Sequence, residues 1–362
     1  MSADAASRQE TFSGTKEVAE KLRFDEKRLE SYLAAHVPGF KGPLSVRQFK
    51  GGQSNPTYQL VTPEKKYVLR RKPPGKLLPS AHAVDREHRI ISALHAIGFP
   101  VPRPFLLCED ESVAGTMFFV MDMVEGRVLW ESALPDSSPR ERAAIYDAMN
   151  ETISWLHTID YAKIGLEDYG KPGNYFARQI GRWTKQYKAS ETDEIPEMDR
   201  LIAWLPEHIP ADETTSIVHG DFRIDNMIFH KSEPKVLAVL DWELSTLGHP
   251  LADFTYHLMQ WQSPSVETGG KALQELDLKA LGIPTADEYV AAYCRRTGRN
   301  GLPELDFYFA YNLFRMAGIV QGIVGRVRDG TAASANAYSS SDHVRNLAER
   351  GWEFALRAGA RN

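Results

Sequence analysis

His219-Gly220-Asp221-Phe222-Arg223-Ile224-Asp225-Asn226 is followed by Val236-Leu237-Ala238-Val239-Leu240 and then Asp241-Trp242-Glu243. The stretch spaces three oxygen-bearing side chains, Asp221, Asn226 and Asp241, around one apolar strand. Each suits one task in phosphoryl transfer. An Asp can orient a hydroxyl, or accept its proton, for attack on a γ-phosphate. An Asn and a second Asp supply hard oxygen ligands to Mg²⁺, which neutralises phosphate charge. A carboxylate at the exposed end of a buried strand can be held rigidly. Asp221 is therefore the expected catalytic base, and Asn226 and Asp241 are the expected metal ligands.

The spacing is that of a protein kinase catalytic loop, H-R-D-x-x-x-x-N, with a later metal-binding Asp. Trp242 and Glu243 stand where a protein kinase has Phe and Gly, so its activation switch is not implied. His219 is expected to orient the loop by hydrogen bonds, and Asp225 to cap a turn. Asp253 is expected to brace the loop from the start of a helix. The turn Gly51-Gly52-Gln53-Ser54-Asn55 is the candidate phosphate loop, because glycines let backbone N–H groups approach an anion closely. A kinase also needs a cation on its third strand, paired with a Glu on the following helix. Alternation in Tyr67-Val68-Leu69-Arg70-Arg71 puts Arg70 on the face of Val68 and Arg71 on the other. Arg70 is the expected cation and Glu87 its partner.

The 362 residues suffice for two lobes with real cores. Strands are expected at Leu44–Phe49, Thr57–Val61, Lys66–Arg71, Phe105–Cys108 and Met117–Met123, with helices at Glu26–His36 and Val84–Ile97. From Ser138 the pattern is mostly helical. Residues 330–341, rich in Ala, Ser and Gly, read as a loop. The expected division is an N-terminal extension at 1–42, a nucleotide-binding N-lobe at 43–124, and a catalytic, acceptor-binding C-lobe at 125–362. The net charge of −5 argues against a nucleic-acid partner. The apolar run from Phe307 to Val327 carries Asn312, Arg315, Gln321 and Arg326, costly in lipid, so it reads as a buried helix and not a membrane span. Two distant cysteines, Cys108 and Cys294, and a polar first 20 residues point to the cytoplasm. Nothing in the sequence sets an oligomeric state.

With these motifs the chain resembles the aminoglycoside phosphotransferase and choline kinase family. Tyr67-Val68-Leu69-Arg70-Arg71-Lys72-Pro73-Pro74-Gly75, Gly173-Asn174-Tyr175-Phe176 and Leu247-Gly248-His249-Pro250-Leu251-Ala252-Asp253 are more closely similar to the kinase-like domain fused to certain acyl-CoA dehydrogenases. The resemblance implies an α+β, protein-kinase-like two-lobe fold with a small β-rich N-lobe and a larger helical C-lobe. It implies Mg²⁺, ATP or GTP as co-substrate, and an adenine-binding hinge at Met121-Asp122-Met123. It also implies a hydroxylated acyl group as acceptor, as a CoA thioester.

The expected function is a small-molecule kinase moving a γ-phosphate from a purine nucleoside triphosphate to a hydroxyl. Arg178, Arg182 and Lys185 form a basic helix face that suits an anionic acceptor such as a hydroxyacyl-CoA. The alternatives are an aminoglycoside or choline-type kinase, and a non-catalytic nucleotide-binding module. A dead module should have lost Asp221, Asn226 or Asp241, and all three are present.

Overall fold

A computed structural model describes residues 14–50, 55–75, 82–262, 272–328 and 341–361. The strands are β1 (Thr15–Lys16), β2 (Ser45–Phe49), β3 (Thr57–Val61), β4 (Lys66–Arg71), β5 (Pro104–Cys108), β6 (Phe118–Asp122), β7 (Arg127–Val128), β8 (Ser216–Val218), β9 (Met227–Phe229), β10 (Val236–Val239) and β11 (Thr246–Gly248). The helices are α1 (Glu26–His36), α2 (Val84–Ala96), α3 (Glu111–Ala114), α4 (Pro139–Thr158), α5 (Tyr175–Ser190) and α6 (Pro196–Glu207). They continue with α7 (Pro250–Gln262), α8 (Leu278–Leu281), α9 (Ala286–Thr297), α10 (Leu305–Arg328) and α11 (Ser341–Arg357). The chain forms two compact units, one from residues 1–152, 162–167 and 223–245, the other from 153–161, 168–222 and 246–362.

The first unit is built on an antiparallel sheet in the order β1-β2-β3-β4-β6-β5. Period-two alternation decides which side chains enter its core. Tyr58 and Leu60 of β3 are fully buried, with Thr57, Gln59 and Val61 half-buried between them. They join Tyr67 and Leu69 of β4 and Leu29 and Leu33 of α1 in one apolar cluster. Asp25 caps α1 by accepting the Arg28 N–H at 3.0 Å. β4 is central and buried from Tyr67 to Arg71, so its two arginines sit in the interior on opposite faces. Arg71 donates to the Leu22 carbonyl at 2.9 Å, the Tyr58 hydroxyl at 3.0 Å and the Ala114 carbonyl. A second sheet, β10-β9-β7, completes this unit.

The second unit is mostly helical. β8 and β11 pair antiparallel, with Val218 opposite Thr246 and Ser216 opposite Gly248. A Cβ on Gly248 would meet Tyr175 at 2.6 Å and Val218 at 2.9 Å, so the close pairing requires glycine. α10 is buried continuously from Phe307 to Phe314, and Asn312 donates to the Ala252 carbonyl at 3.0 Å and the Thr255 hydroxyl at 2.8 Å. The apolar run is thus an interior helix. Among the described residues, no helix is long and apolar enough to cross a membrane. Of the expected Ala/Ser/Gly-rich loop, residues 330–340 lie outside the described residues, and Ser341 opens α11.

Candidate active site

The quoted stretch contributes to both units, because the chain passes from one to the other after Phe222. In the helical unit β8 delivers the fully buried His219, and Gly220 follows at φ 85°, a backbone that favours glycine. Asp253, in the first turn of α7, accepts the backbone N–H groups of His219 at 2.7 Å and Gly220 at 2.8 Å. Two charge-assisted bonds from one carboxylate fix the loop. His157 Nε2 donates to the same carboxylate at 3.3 Å while its Nδ1 accepts from the Tyr293 hydroxyl at 2.8 Å. Burial alone would raise the Asp253 carboxyl, but these hydrogen bonds and the nearby histidines hold it below its usual value.

Asp221 is placed by this frame. Its N–H donates to His219 Nδ1 at 3.2 Å, and its Oδ1 accepts from the Tyr256 hydroxyl at 2.6 Å. His257 Nδ1 donates to the Phe222 carbonyl at 3.1 Å, so its Nε2 accepts from Tyr289 at 2.8 Å. Asp253, Tyr256 and His257 are three and four residues apart, hence on one face of α7. Arg315 of α10 donates to the Gly220 carbonyl at 2.7 Å and lies 5.2 Å from the centroid of the Tyr256 ring. Burial opposes its charge, yet Tyr311, Tyr175, Tyr256 and Asp221 raise its pKa above the ordinary arginine value.

In the β-rich unit, Arg70 is the hub. Its Nη2 lies 2.6 Å from Asp241 Oδ1 and 3.4 Å from Glu243 Oε2, and its Nε is 2.9 Å from Glu87 Oε2. The last pair is a contact of charges and not an aligned hydrogen bond. Glu87 is 2% exposed, and burial pushes its carboxyl up despite Arg70. Burial likewise opposes the Arg70 charge, but Glu87, Asp241 and Glu243 more than offset it. Three carboxylates against one guanidinium leave an excess of two negative charges when all are ionised. Asp241 has the left-handed backbone φ 65°, ψ 61°, uncommon for a residue with a side chain. The Trp242 indole, buried, donates to the Val239 carbonyl at 2.9 Å and anchors the turn. Leu240 N–H donates to the Asn226 carbonyl at 2.8 Å, tying the two oxygen-bearing positions together.

Among the described residues, no group of three or more His, Cys, Asp or Glu could hold a metal unaided. Mg²⁺ does not need such a cage, since it is commonly bound by one or two carboxylates with phosphates and waters. The hard oxygens of Asn226 and Asp241, and the excess negative charge around Arg70, fit that ion.

Gly51, Gly52, Gln53 and Ser54 lie outside the described residues. Asn55 is buried, donates to Glu243 at 3.3 Å and lies 3.1 Å from His82 Nδ1 through its Oδ1. Met121 and Asp122 end β6, where Met121 pairs with Val68 and Asp122 with Tyr67, and Met123 follows. The Asp122 carboxylate meets Lys65 at 2.5 Å. Arg178 donates to the Gly173 and Lys171 carbonyls, so it fastens the loop before its own helix. Arg182 is exposed beside Trp183. Sequence reasoning missed Tyr256, Arg315 and the Glu243 link. The helical spacing from Asp253 could have flagged Tyr256, whereas Arg315 stands out only as a charge within an apolar run, with nothing local to tie it to the loop.

The model of the phosphotransferase enzyme family (APH) matches residues 45–308. Acyl-CoA dehydrogenase family member 10 of Mus musculus is 45% identical over 93% of this chain. The chain spans only 31% of that relative's length. A solved structure from Ralstonia eutropha, provisionally named an aminoglycoside phosphotransferase, is 55% identical, covers 92% of this chain and 99% of its own, and superposes with a TM-score of 0.85. The aminoglycoside phosphotransferase APH(4)-Ia, solved as a ternary complex with ADP and hygromycin B, is 16% identical over 93% of this chain and 99% of its own, and shares the fold with a TM-score of 0.58. The fold is α+β and protein-kinase-like, a small antiparallel β part followed by a larger helical one. The chain belongs to the phosphotransferase enzyme family.

Proposed function

We propose that this phosphotransferase moves the γ-phosphoryl group of a purine nucleoside triphosphate, ATP or GTP, to the hydroxyl of a hydroxyacyl-CoA. The observation that carries the reading is the held state of Asp221. Asp253 clamps the two preceding residues, His219 takes the Asp221 N–H, and Tyr256 orients the carboxylate at 2.6 Å. A base so placed can align an acceptor hydroxyl and take its proton. Arg70, steadied by Glu87, takes the role of the phosphate-holding cation, and its planar fork would grip phosphate differently from a Lys. Gly51, Gly52, Gln53 and Ser54 with Asn55, and the backbone of Met121, Asp122 and Met123, take the phosphates and the purine. Asn226 and Asp241 would hold Mg²⁺, which neutralises phosphate charge when bound. The rest of catalysis is positioning and electrostatics.

The acceptor rests on the mouse relative's acyl-CoA dehydrogenase name and on the exposed basic residues Arg182 and Lys185 of α5. The Ralstonia relative's name favours a second reading, an aminoglycoside acceptor. The buried, unpaired Cys108 and Cys294 fit a cytoplasmic location.

Two measurements test the proposal. Nucleotide consumption is followed with hydroxyacyl-CoA, aminoglycoside and choline acceptors. Transfer to kanamycin or choline alone replaces the acceptor and leaves the kinase standing. Asp221→Ala should lower turnover about a hundredfold or more with nucleotide affinity nearly unchanged. Turnover near that of the wild type would remove Asp221 from the chemistry.

A further inference from the structure

Arg315 is a cation beside the proposed base with spare donors. A guanidinium carries five N–H groups in one plane. Arg315 donates one to the Gly220 carbonyl at 2.7 Å and rests on the Tyr256 ring. It makes no ion pair among the described residues. The other arginines of interest differ. Arg70 faces three carboxylates, Arg299 meets Asp212 at 3.1 Å, and Arg71 spends its donors on the Leu22 and Ala114 carbonyls and the Tyr58 hydroxyl. The Arg315 charge is kept by its surroundings, and of its donors only the one to Gly220 is spent on a hydrogen bond among the described residues. The others suit an oxygen on a ligand.

The position is specific. The Gly220 carbonyl that Arg315 holds belongs to the residue just before Asp221, and the ring on which it rests donates to the Asp221 carboxylate. Any oxygen that Arg315 binds on the acceptor therefore lies a few bonds from the hydroxyl that Asp221 orients. A hydroxyacyl group has that form, a hydroxyl with a carboxyl-level oxygen close by on the same chain. An ammonium there would meet a like charge.

We infer that Arg315 is the residue that selects the acceptor, donating to its thioester carbonyl or carboxylate oxygen. This rests on the kinase reading above and sharpens its acceptor. Arg315 is then a specificity residue, distinct from the basic face of α5.

The test compares three hydroxylated probes, a hydroxyacyl-CoA, the free hydroxy acid and the matched diol that lacks the carbonyl. Wild type, Arg315→Lys and Arg315→Gln are assayed with each, and nucleotide KM is measured in parallel. Arg315→Gln should raise the acceptor KM for one or both carbonyl-bearing probes by about tenfold to a hundredfold, the scale of a charge-assisted hydrogen bond. Loss of the Gly220 contact should lower turnover on all three probes alike, but the diol KM should change by less than about threefold and nucleotide KM should hold, since neither uses the acceptor bond. Arg315→Lys should fall between, and it carries the comparison if the Gln variant does not fold. The CoA and free-acid arms tell thioester from carboxylate. An equal change in acceptor KM on all three probes would mean that Arg315 only props the Gly220 carbonyl, and would overturn the inference while leaving the kinase reading intact. No transfer by the wild type to any hydroxylated acceptor would remove both.

Discussion

Asp241 combines a left-handed backbone with an ion pair to a buried arginine at 2.6 Å. Backbone held in a sparsely populated region points to a functional constraint. The same geometry dictates how a metal role is tested. Asp241→Ala would mix loss of charge with the strain of an alanine at φ 65°, whereas Asn tolerates that region. Asp241→Asn should weaken Mg²⁺-nucleotide binding by about tenfold or more, on the scale of a lost charged contact, and change metal-free nucleotide binding far less. Calorimetry with and without Mg²⁺ measures both, and equal losses would argue that Asp241 serves only Arg70. Asp221, Asn226 and Asp241 were conspicuous in the sequence because their spacing is local. Tyr256 and Arg315 were not, because the first is 35 residues from Asp221 and the second 95 from Gly220. Helical spacing ties Tyr256 to Asp253, but no periodicity links Tyr256 to Asp221 or Arg315 to Gly220, which only the fold brings together.

Among the elements, α7 does the most for the loop, since Asp253, Tyr256 and His257 share one face. Its helical pattern and those of α1, α9 and α10 were legible from apolar spacing. β1 and β7, two residues each, are too short to show alternation. The α7 face also sets a pH response. Burial lowers His257 to about 4, despite its bond to the Phe222 carbonyl and the charge of Asp253. His249, just before α7, is lowered to about 4 by burial as well. Both groups are depressed, so the unfolded chain binds protons between about pH 6.5 and 4 that the folded chain does not. Their contribution is full above pH 6.5 and is lost as pH falls toward 4. His257→Gln keeps a donor for the Phe222 carbonyl and removes one titration. It should flatten the fall in stability over this window by about 1.4 kcal/mol per pH unit at most. Urea unfolding from pH 7 to 4.5 gives the slopes, and parallel curves for wild type and variant would contradict the assignment.

At the scale of the molecule, the β-rich unit is not one continuous piece of chain, because residues 223–245 return to it after the chain has entered the other unit. That segment supplies much of the unit's inside. Met227, Phe229, Ala238 and Val239 are fully buried and Trp242 nearly so, with its ring 6.0 Å from that of Phe99. Val239 N–H donates to the Pro100 carbonyl at 2.8 Å. β9 is the partner of β7, and Asp241 and Glu243 are two of the three carboxylates around Arg70. A fragment of residues 1–152 would keep the six-stranded sheet but leave β7 unpaired and Phe99 uncovered. Arg70 would face Glu87 alone, and Asn226 and Asp241 would be missing. Burial of each large apolar side chain is worth about 1.5–3 kcal/mol, so losing several is of the same size as the roughly 5–15 kcal/mol that usually separates folded from unfolded. The fragment should therefore show no cooperative thermal transition and no Mg²⁺-nucleotide binding. Joining residues 223–245 to it through a flexible linker should recover part of both, because the missing strands and carboxylates return together. Circular dichroism melts and calorimetry on the two chains decide the matter. Cooperative melting of the 1–152 fragment alone would show that the six-stranded sheet and α1 are sufficient, and that the returning segment adds chemistry without adding stability.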